Sequence, residues 1–152
     1  VDLIRGLGIL AGLQVRIVDG ATGYLDTNYS GKVDAAFDAL EGEDLVYLHI
    51  EAPDETSHEG SLQKKITAIE DFDRHVVGEF LKLQKESDNL RILIAPDHAT
   101  PVSLKTHSSV PVPYTMYGSG INKDEIVTFC EKSVVNQEIL TGTSLFDKFI
   151  KS

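Results

Sequence analysis

Apolar residues recur along the chain with two different periods, and the period changes from one segment to the next. Leucines at helical spacing predict a first helix from Asp2 to about Leu13, where Gly12 would end it. Two runs at 45–50 and 90–95 are almost continuously apolar, which is typical of strands that are buried on both faces of a sheet. The chain therefore contains both helical and strand-like segments.

The other periodic segments alternate between the two types. Further strands are predicted at 14–18 and 113–117, and further helices at 32–40, 61–89, 124–132 and 143–150. Strands that alternate with helices predict an α/β fold, in which a parallel sheet is sandwiched between helices on both faces. Such sheets bind ligands beyond the carboxyl ends of their strands, so polar residues at those positions carry the most information.

Two short clusters of Asp and His follow the two buried strands. The first cluster is Asp54 and His58, and the second cluster is Asp97 and His98. A mixture of Asp and His suits zinc or manganese better than calcium or magnesium. Asp54 and His58 are four residues apart, so one helical turn would place them on the same face, where they could hold one ion.

Asp97 and His98 are adjacent, and neighbours at a strand end point in different directions. We therefore expect this pair to serve two ions rather than to chelate one. His107 supplies a third imidazole from the long loop 96–112, and loops of that length in compact domains are often functional. Together the clusters describe half of a two-metal phosphoryl-transfer site. For either cluster alone, the alternative is an exposed turn with polar residues.

Three further residues have two interpretations each. His49 lies inside an apolar run that is predicted to be a strand. It is either a buried, hydrogen-bonded histidine or a residue that orients a metal ligand. Asp73 falls on the apolar face of the long helix, where a buried carboxylate needs partners, so we expect it to cap backbone groups or to orient a ligand. Lys105 precedes His107 by two residues, and could either reach a phosphate or remain solvated.

Composition narrows the class of protein. The chain has 152 residues, with 41% hydrophobic and 25% charged residues, which fits a globular domain with one core. Its net charge of −10 argues against a nucleic-acid partner, and it means that a phosphorylated substrate would need metal ions to supply local positive charge. No apolar stretch reaches the roughly 20 residues of a membrane span. The single cysteine, Cys130, excludes an internal disulfide and is compatible with the cytoplasm.

Several motifs resemble one enzyme family. The segments 52–60 (APDETSHEG), 69–73 (IEDFD) and 96–101 (PDHATP) resemble the cofactor-independent, or 2,3-bisphosphoglycerate-independent, phosphoglycerate mutases. The resemblance is closest to the archaeal-type branch, within the alkaline phosphatase superfamily. Segments 1–8 and 22–29 are also similar to that branch, and the resemblance weakens after Tyr117.

The resemblance implies a fold, a reaction and a set of ligands. Asp54, His58 and His107 would bind one divalent ion, and Asp97 with His98 would bind a second. The ions would be manganese or zinc, with magnesium as a further candidate. The reaction would interconvert 3-phosphoglycerate and 2-phosphoglycerate through a phosphoserine. The family's serine nucleophile, a further Asp ligand and the substrate-closing domain have no counterpart in this sequence.

The chain would therefore be the carboxyl-terminal part of an alkaline phosphatase-like metal-binding domain, inactive without the amino-terminal part of the same protein. The sequence starts at Val1 without an initiator Met, which agrees with a piece of a longer protein. Two alternatives remain open. The chain could belong to another phosphoryl-transfer enzyme of the superfamily, such as a phosphatase, a phosphodiesterase or a proposed homoserine kinase. It could also be a stand-alone metal-binding module.

Overall fold

The computed structural model describes residues 2–87 and 89–151, and these divide into two compact units. The first unit consists of Val1–Glu79 together with Val102–Thr106, and the second consists of Phe80–Pro101 together with His107–Ser152. A short piece of the loop after Pro101 thus belongs to the first unit, although both of its flanks belong to the second.

Most of the regular structure is helical. The helices are α1 (Asp2–Leu10), α2 (Tyr29–Leu40), α3 (Ala52–His58), α4 (Leu62–Phe72), α5 (Gly78–Glu86), α6 (Glu131–Val134) and α7 (Gly142–Lys151). A five-residue π-helical segment, Asp73–Val77, joins α4 to α5. The strands are β1 (Arg91–Ile94) and β2 (Thr115–Gly118). Within the described ranges, no helix is long and apolar enough to cross a membrane.

The strongest helical patterns of the sequence are confirmed. Helix α1 ends close to Gly12, whose φ of 81° is the left-handed conformation that glycine adopts most readily. The long helix predicted at 61–89 is present as the run from α4 through the π segment to α5. The predicted terminal helix at 143–150 is present as α7. In each case the apolar period is long enough to define the element.

Three other predicted elements differ from the structure. The predicted strands at 14–18 and 45–50 have no strand pairing within the described part of the chain, and Ile17 and Tyr47 in them are 73% and 62% exposed. The helix predicted at 124–132 is wrong, since α6 covers only Glu131–Val134. Near its expected start, the Asp124 carboxylate accepts a hydrogen bond from the Ile126 N–H at 2.9 Å. Such a local side-chain bond competes with a helix for the backbone donors.

The described strands pair antiparallel, whereas the sequence predicted a parallel sheet. Arg91 lies opposite Gly118 and Ile94 lies opposite Thr115. Parallel neighbours need a long crossover, which is usually a helix. The described chain between β1 and β2 contains no helix, so it returns directly and the two strands run in opposite directions.

The core of the first unit consists mostly of small side chains. Helix α2 buries Val33, Ala36 and Ala39 together with Tyr29, and α3, which packs against α4, buries Ala52. Small side chains let helix backbones approach closely. The turn of α3 that carries the first cluster is therefore held by its neighbours as well as by its own hydrogen bonds.

Asp73, predicted on the buried face of the long helix, is exposed. The buried residues of this helical run are Ala68 and Val76, which are eight positions apart and therefore share one face. Asp73 comes one position after Phe72, at the start of the π-helical segment, and so lies off this buried face. The burial that suggested a role for this carboxylate is absent.

Asn28 determines where α2 begins. Its Oδ1 accepts hydrogen bonds from the Gly31 N–H at 2.9 Å and from the Ser30 hydroxyl at 3.1 Å, and its Nδ2 donates to the Asp19 carbonyl at 2.9 Å. One side chain therefore caps the helix and ties the preceding loop to it. This explains why α2 starts at Tyr29, three residues before the predicted start at 32.

We predict that Asn28→Ala lowers the free energy of unfolding by about 1–2 kcal/mol, the usual cost of losing an N-cap. Asn28→Asp keeps the acceptor for Gly31 but loses the amide donor, so it should cost less. Urea denaturation of both variants checks this, with exposed Lys123→Ala as the control. Equal losses for the two Asn28 variants would contradict the capping role.

Candidate metal centre

The first cluster lies on a single turn of α3. Pro53 occupies the start of the helix, where its missing N–H is not needed, and the acidic and basic residues lie at the ends that the helix dipole favours. The Asp54 Oδ2 and the His58 Nε2 are 3.3 Å apart, and the two side chains are 25% and 35% exposed. The predicted helical turn thus brings both ligand atoms to one point that solvent can reach.

A backbone carbonyl determines which ring nitrogen of His58 acts as a hydrogen-bond donor. Its Nδ1 lies 2.9 Å from the Lys105 carbonyl oxygen, which can only accept a hydrogen bond, so Nδ1 carries the proton. In the neutral ring, the lone pair of Nε2 then faces the Asp54 carboxylate, and two acceptors would oppose each other. A cation between them relieves this conflict, whether it is a proton or a metal ion.

The distances fit a metal ion. Two ligand atoms that bind a tetrahedral ion at ~2.0–2.2 Å are about 3.3–3.6 Å from each other. The separation of 3.3 Å in the first cluster lies within this range. Asp and His donors, with one imidazole N–H held by a carbonyl, are also the arrangement that proteins use to orient metal-binding histidines.

The hydroxyl groups beside the first cluster are engaged inside α3. Thr56 Oγ1 donates to the Ala52 carbonyl at 2.7 Å, and Ser57 Oγ donates to the Pro53 carbonyl at 2.6 Å. Both residues are completely buried. Neither hydroxyl is therefore placed to attack a substrate, as their position within the ligand turn predicts.

The end of α3 is anchored by a charged triad. Lys64 Nζ donates to Glu59 Oε2 at 2.6 Å and to the Tyr24 hydroxyl at 2.7 Å. The hydrogen bond from Lys64 lowers the pKa of Glu59, and the same bond raises the pKa of Lys64. Glu59 directly follows His58, so its neutralised charge sits next to the first cluster. Tyr24, which lies in the family-like segment 22–29, thus contacts Lys64 through its hydroxyl group.

The geometry of the second cluster differs from the prediction that Asp97 and His98 point in different directions. Asp97 Oδ2 and His98 Nε2 are 3.5 Å apart, so these neighbours point toward a common position instead of in different directions. The reason is that β1 ends at Ile94, and the pair lies in a bend after the strand. The Asp97 carboxylate also accepts a hydrogen bond from the His98 N–H at 3.1 Å, which folds the two side chains together.

His98 has two further neighbours in the second unit. Its Nδ1 lies 3.1 Å from Thr100 Oγ1, within hydrogen-bond distance, and its ring stacks on the His107 ring with 3.7 Å between centroids. An isolated β-bridge between Ala99 and Ser108 closes the base of the loop. The long loop therefore returns His107 to the second cluster.

The structure thus forms two Asp–His pairs, each in its own unit. Asp54 and His58 belong to the first unit and His107 to the second, so their coordination of one ion together stays a prediction. His49 is half-buried, and its carbonyl accepts a hydrogen bond from Lys32. The predicted roles of His49 and Asp73 in orienting ligands also remain predictions.

Two contacts at the site were not predicted from the sequence. The Lys105 carbonyl on His58 joins residues 47 positions apart, and no residue type encodes a backbone acceptor. The contact between Thr100 and His98 is local, because the two residues are only two positions apart in the sequence.

The family of this chain follows from comparison with known proteins. The sequence profile of the Metalloenzyme superfamily matches residues 4–143. The solved structure of the PH0037 protein from Pyrococcus horikoshii superposes with a TM-score of 0.81 at 31% identity, covering 88% of this chain and 40% of that one. The chain belongs to the Metalloenzyme superfamily.

The curated relatives have a narrower name. The chain is 49% identical to the 2,3-bisphosphoglycerate-independent phosphoglycerate mutase of Methanosarcina mazei over its whole length, and 54% identical to that of Methanosarcina acetivorans over 90% of its length. A probable mutase of the same name from Geobacter sulfurreducens is 56% identical over 77% of this chain. The chain spans only 39%, 35% and 29% of these three relatives.

We predict that Ser57→Ala lowers the free energy of unfolding by about 1 kcal/mol through the lost hydrogen bond, without changing zinc affinity more than about twofold. Denaturation and calorimetry would measure the two effects, with exposed Ser119→Ala as the control. A tenfold loss of zinc affinity in Ser57→Ala would mean that this hydroxyl reaches the ion.

Proposed function

We propose that this chain supplies metal ligands to a 2,3-bisphosphoglycerate-independent phosphoglycerate mutase, which interconverts 3-phosphoglycerate and 2-phosphoglycerate. The observation that carries the proposal is the spacing of the two Asp–His pairs, at 3.3 Å and 3.5 Å between ligand atoms. These carboxylate and imidazole groups lie at distances that suit one metal ion per pair, and the relatives of this chain are named as these mutases. Together the two observations support that reaction more than a general metal-binding role.

We assign Asp54, His58 and His107 to one divalent ion, and Asp97 with His98 to a second. Two-metal sites hold their ions about 3.5–4 Å apart, so ligands of the two ions must lie side by side. The stacked rings of His98 and His107, 3.7 Å apart, are consistent with this assignment. The Lys105 carbonyl on His58, two residues before His107 in the chain, also supports it.

Manganese or zinc suits the Asp and His donors, with magnesium less favoured by the imidazoles. The bound ions would supply positive charge for a phosphate group, which a chain with a net charge of −10 lacks. The carboxylates of Asp54 and Asp97 would hold that charge in place. His58 would be kept in one orientation by the Lys105 carbonyl.

We propose that the serine nucleophile and the substrate-closing domain lie in parts of the parent enzyme outside these 152 residues. Thr56 and Ser57 are buried, and the Thr100 hydroxyl lies against the His98 ring, so none of them is well placed for attack. We also infer that the segments 14–18 and 45–50, which were predicted as strands, join a parallel sheet in the whole protein. A glycolytic reaction of this kind would take place in the cytoplasm.

We expect this chain to bind zinc or manganese with one site clearly stronger than the other, because the first site keeps three protein ligands and the second only two. Asp54→Ala should abolish the stronger site in calorimetry. Glu55→Ala, which removes an exposed carboxylate from the same helix, is the matched control and should change little. Two sites of equal affinity would contradict this ligand assignment.

We expect the isolated chain to convert 3-phosphoglycerate at background rate with manganese present, since a nucleophile and a positioning domain contribute several powers of ten in rate. The longer parent protein should be active and lose activity in Asp97→Ala but not in the control Glu125→Ala. A coupled enolase assay measures this.

Turnover by the isolated chain that disappears in Thr100→Ala would contradict the assignment of the nucleophile to another segment. A parent protein that hydrolyses phosphate esters without mutase activity would favour the alternative of a phosphatase.

A further inference from the structure

We propose that Lys105 is a positioning residue for the metal ligand His58, acting through its backbone carbonyl rather than its ammonium group. The inference rests on the proposed function, because it concerns how one ligand of the proposed ion is held. The contact is the 2.9 Å separation between the Lys105 carbonyl oxygen and His58 Nδ1. By holding the proton on Nδ1, the carbonyl leaves Nε2 as the ligand atom that faces Asp54.

The backbone of Lys105 is in an unusual conformation. Its φ is 54°, and among the described residues it is the only non-glycine residue with positive φ. A side chain with a Cβ disfavours this left-handed region, so such residues persist where the surroundings hold them and often lie at functional sites. Here the conformation belongs to the turn Val102–Thr106, which is part of the first unit together with α3.

Gly60 provides the space that this turn requires. It follows His58 by two residues and has a φ of 79°. A Cβ at Gly60 would overlap the Cε of Lys105 and lie 2.8 Å from its Nζ. The aliphatic part of the Lys105 side chain therefore lies over Gly60 while its carbonyl contacts His58. Two separate contacts hold the turn against the end of α3.

The sequence suggested another role for Lys105, in which its ammonium group binds phosphate. The two roles respond differently to substitution. Glycine removes the ammonium group but adopts positive φ without steric cost, so it keeps the carbonyl in place. Valine also removes the ammonium group, but its branched Cβ strongly disfavours this conformation.

The test compares Lys105→Gly with Lys105→Val in the 152-residue chain, with Leu104→Val as a control in the same exposed turn. Zinc affinity is measured by calorimetry, and the His58 ring nitrogens are observed by ¹⁵N NMR in histidine-labelled, zinc-bound protein. We expect Lys105→Gly to keep zinc affinity within about twofold, with the proton on Nδ1. Lys105→Val should weaken zinc binding by about 10–100-fold, as for other groups that orient ligands.

Equal losses in Lys105→Gly and Lys105→Val would assign the effect to the ammonium group and overturn the proposal. Unchanged affinity and spectra in Lys105→Val would also overturn it. Should Lys105→Val fail to fold, Lys105→Ala tests the same conformation with a smaller, unbranched side chain that still disfavours positive φ. Zinc affinity should then fall in Lys105→Ala relative to Lys105→Gly, although both variants lack the ammonium group. Equal zinc affinity in Lys105→Ala and Lys105→Gly would overturn the proposal.

The metal-free chain separates this inference from the proposed function. Before any ion binds, the His58 ring should already carry a proton on Nδ1. A protein with this tautomer that binds no zinc or manganese would contradict the proposed function and leave the carbonyl contact supported. A protein that binds zinc through Nδ1 of His58 would overturn the inference alone.

Discussion

The hydrogen bond between His58 and the Lys105 carbonyl is the constraint on which the site depends. A carbonyl cannot donate, so the ring must, and this directs the other ring nitrogen toward the Asp54 carboxylate 3.3 Å away. Two acceptors at that distance need a positive charge between them. The Lys105 carbonyl and the side chains of Asp54 and His58 together therefore form a position that favours a cation.

Helix α3 fixes the position of the backbone that carries Asp54 and His58. Its buried residues Ala52, Thr56 and Ser57 are small, and the two hydroxyls are bonded within the helix. The helix backbone that carries Asp54 and His58 is therefore held in place. Rigid support of this kind matters because metal ligands must be held close to their binding geometry before the ion arrives.

The acidic character of the chain is consistent with this arrangement. A net charge of −10 would repel a phosphorylated ligand unless local positive charge outweighs it. Two local contacts bear on the charge near the site. Lys64 neutralises Glu59 beside His58, and each Asp–His pair brings a carboxylate oxygen within 3.3 Å or 3.5 Å of an imidazole nitrogen. The net charge of the whole chain therefore does not determine the charge near the Asp–His pairs.

The sequence alone determined the features that depend on local spacing. The helical periods of α1, α4 and α7, the helix end near Gly12 and the shared face of Asp54 and His58 all follow from residues within a few positions of one another. The motifs around the two Asp–His clusters are likewise local, and their residue identities were enough to indicate the family.

Tertiary structure decided the features that depend on distant partners. The sequence predicted strands at 14–18 and 45–50 from their own residues, but a strand exists only when a neighbour pairs with it. The direction of β2 depended on the path of its connection, and the exposure of Asp73 on which helical face met the core. Lys105 holds His58 across 47 positions through a carbonyl, a group that every residue carries, so only the folded chain selects which one is used.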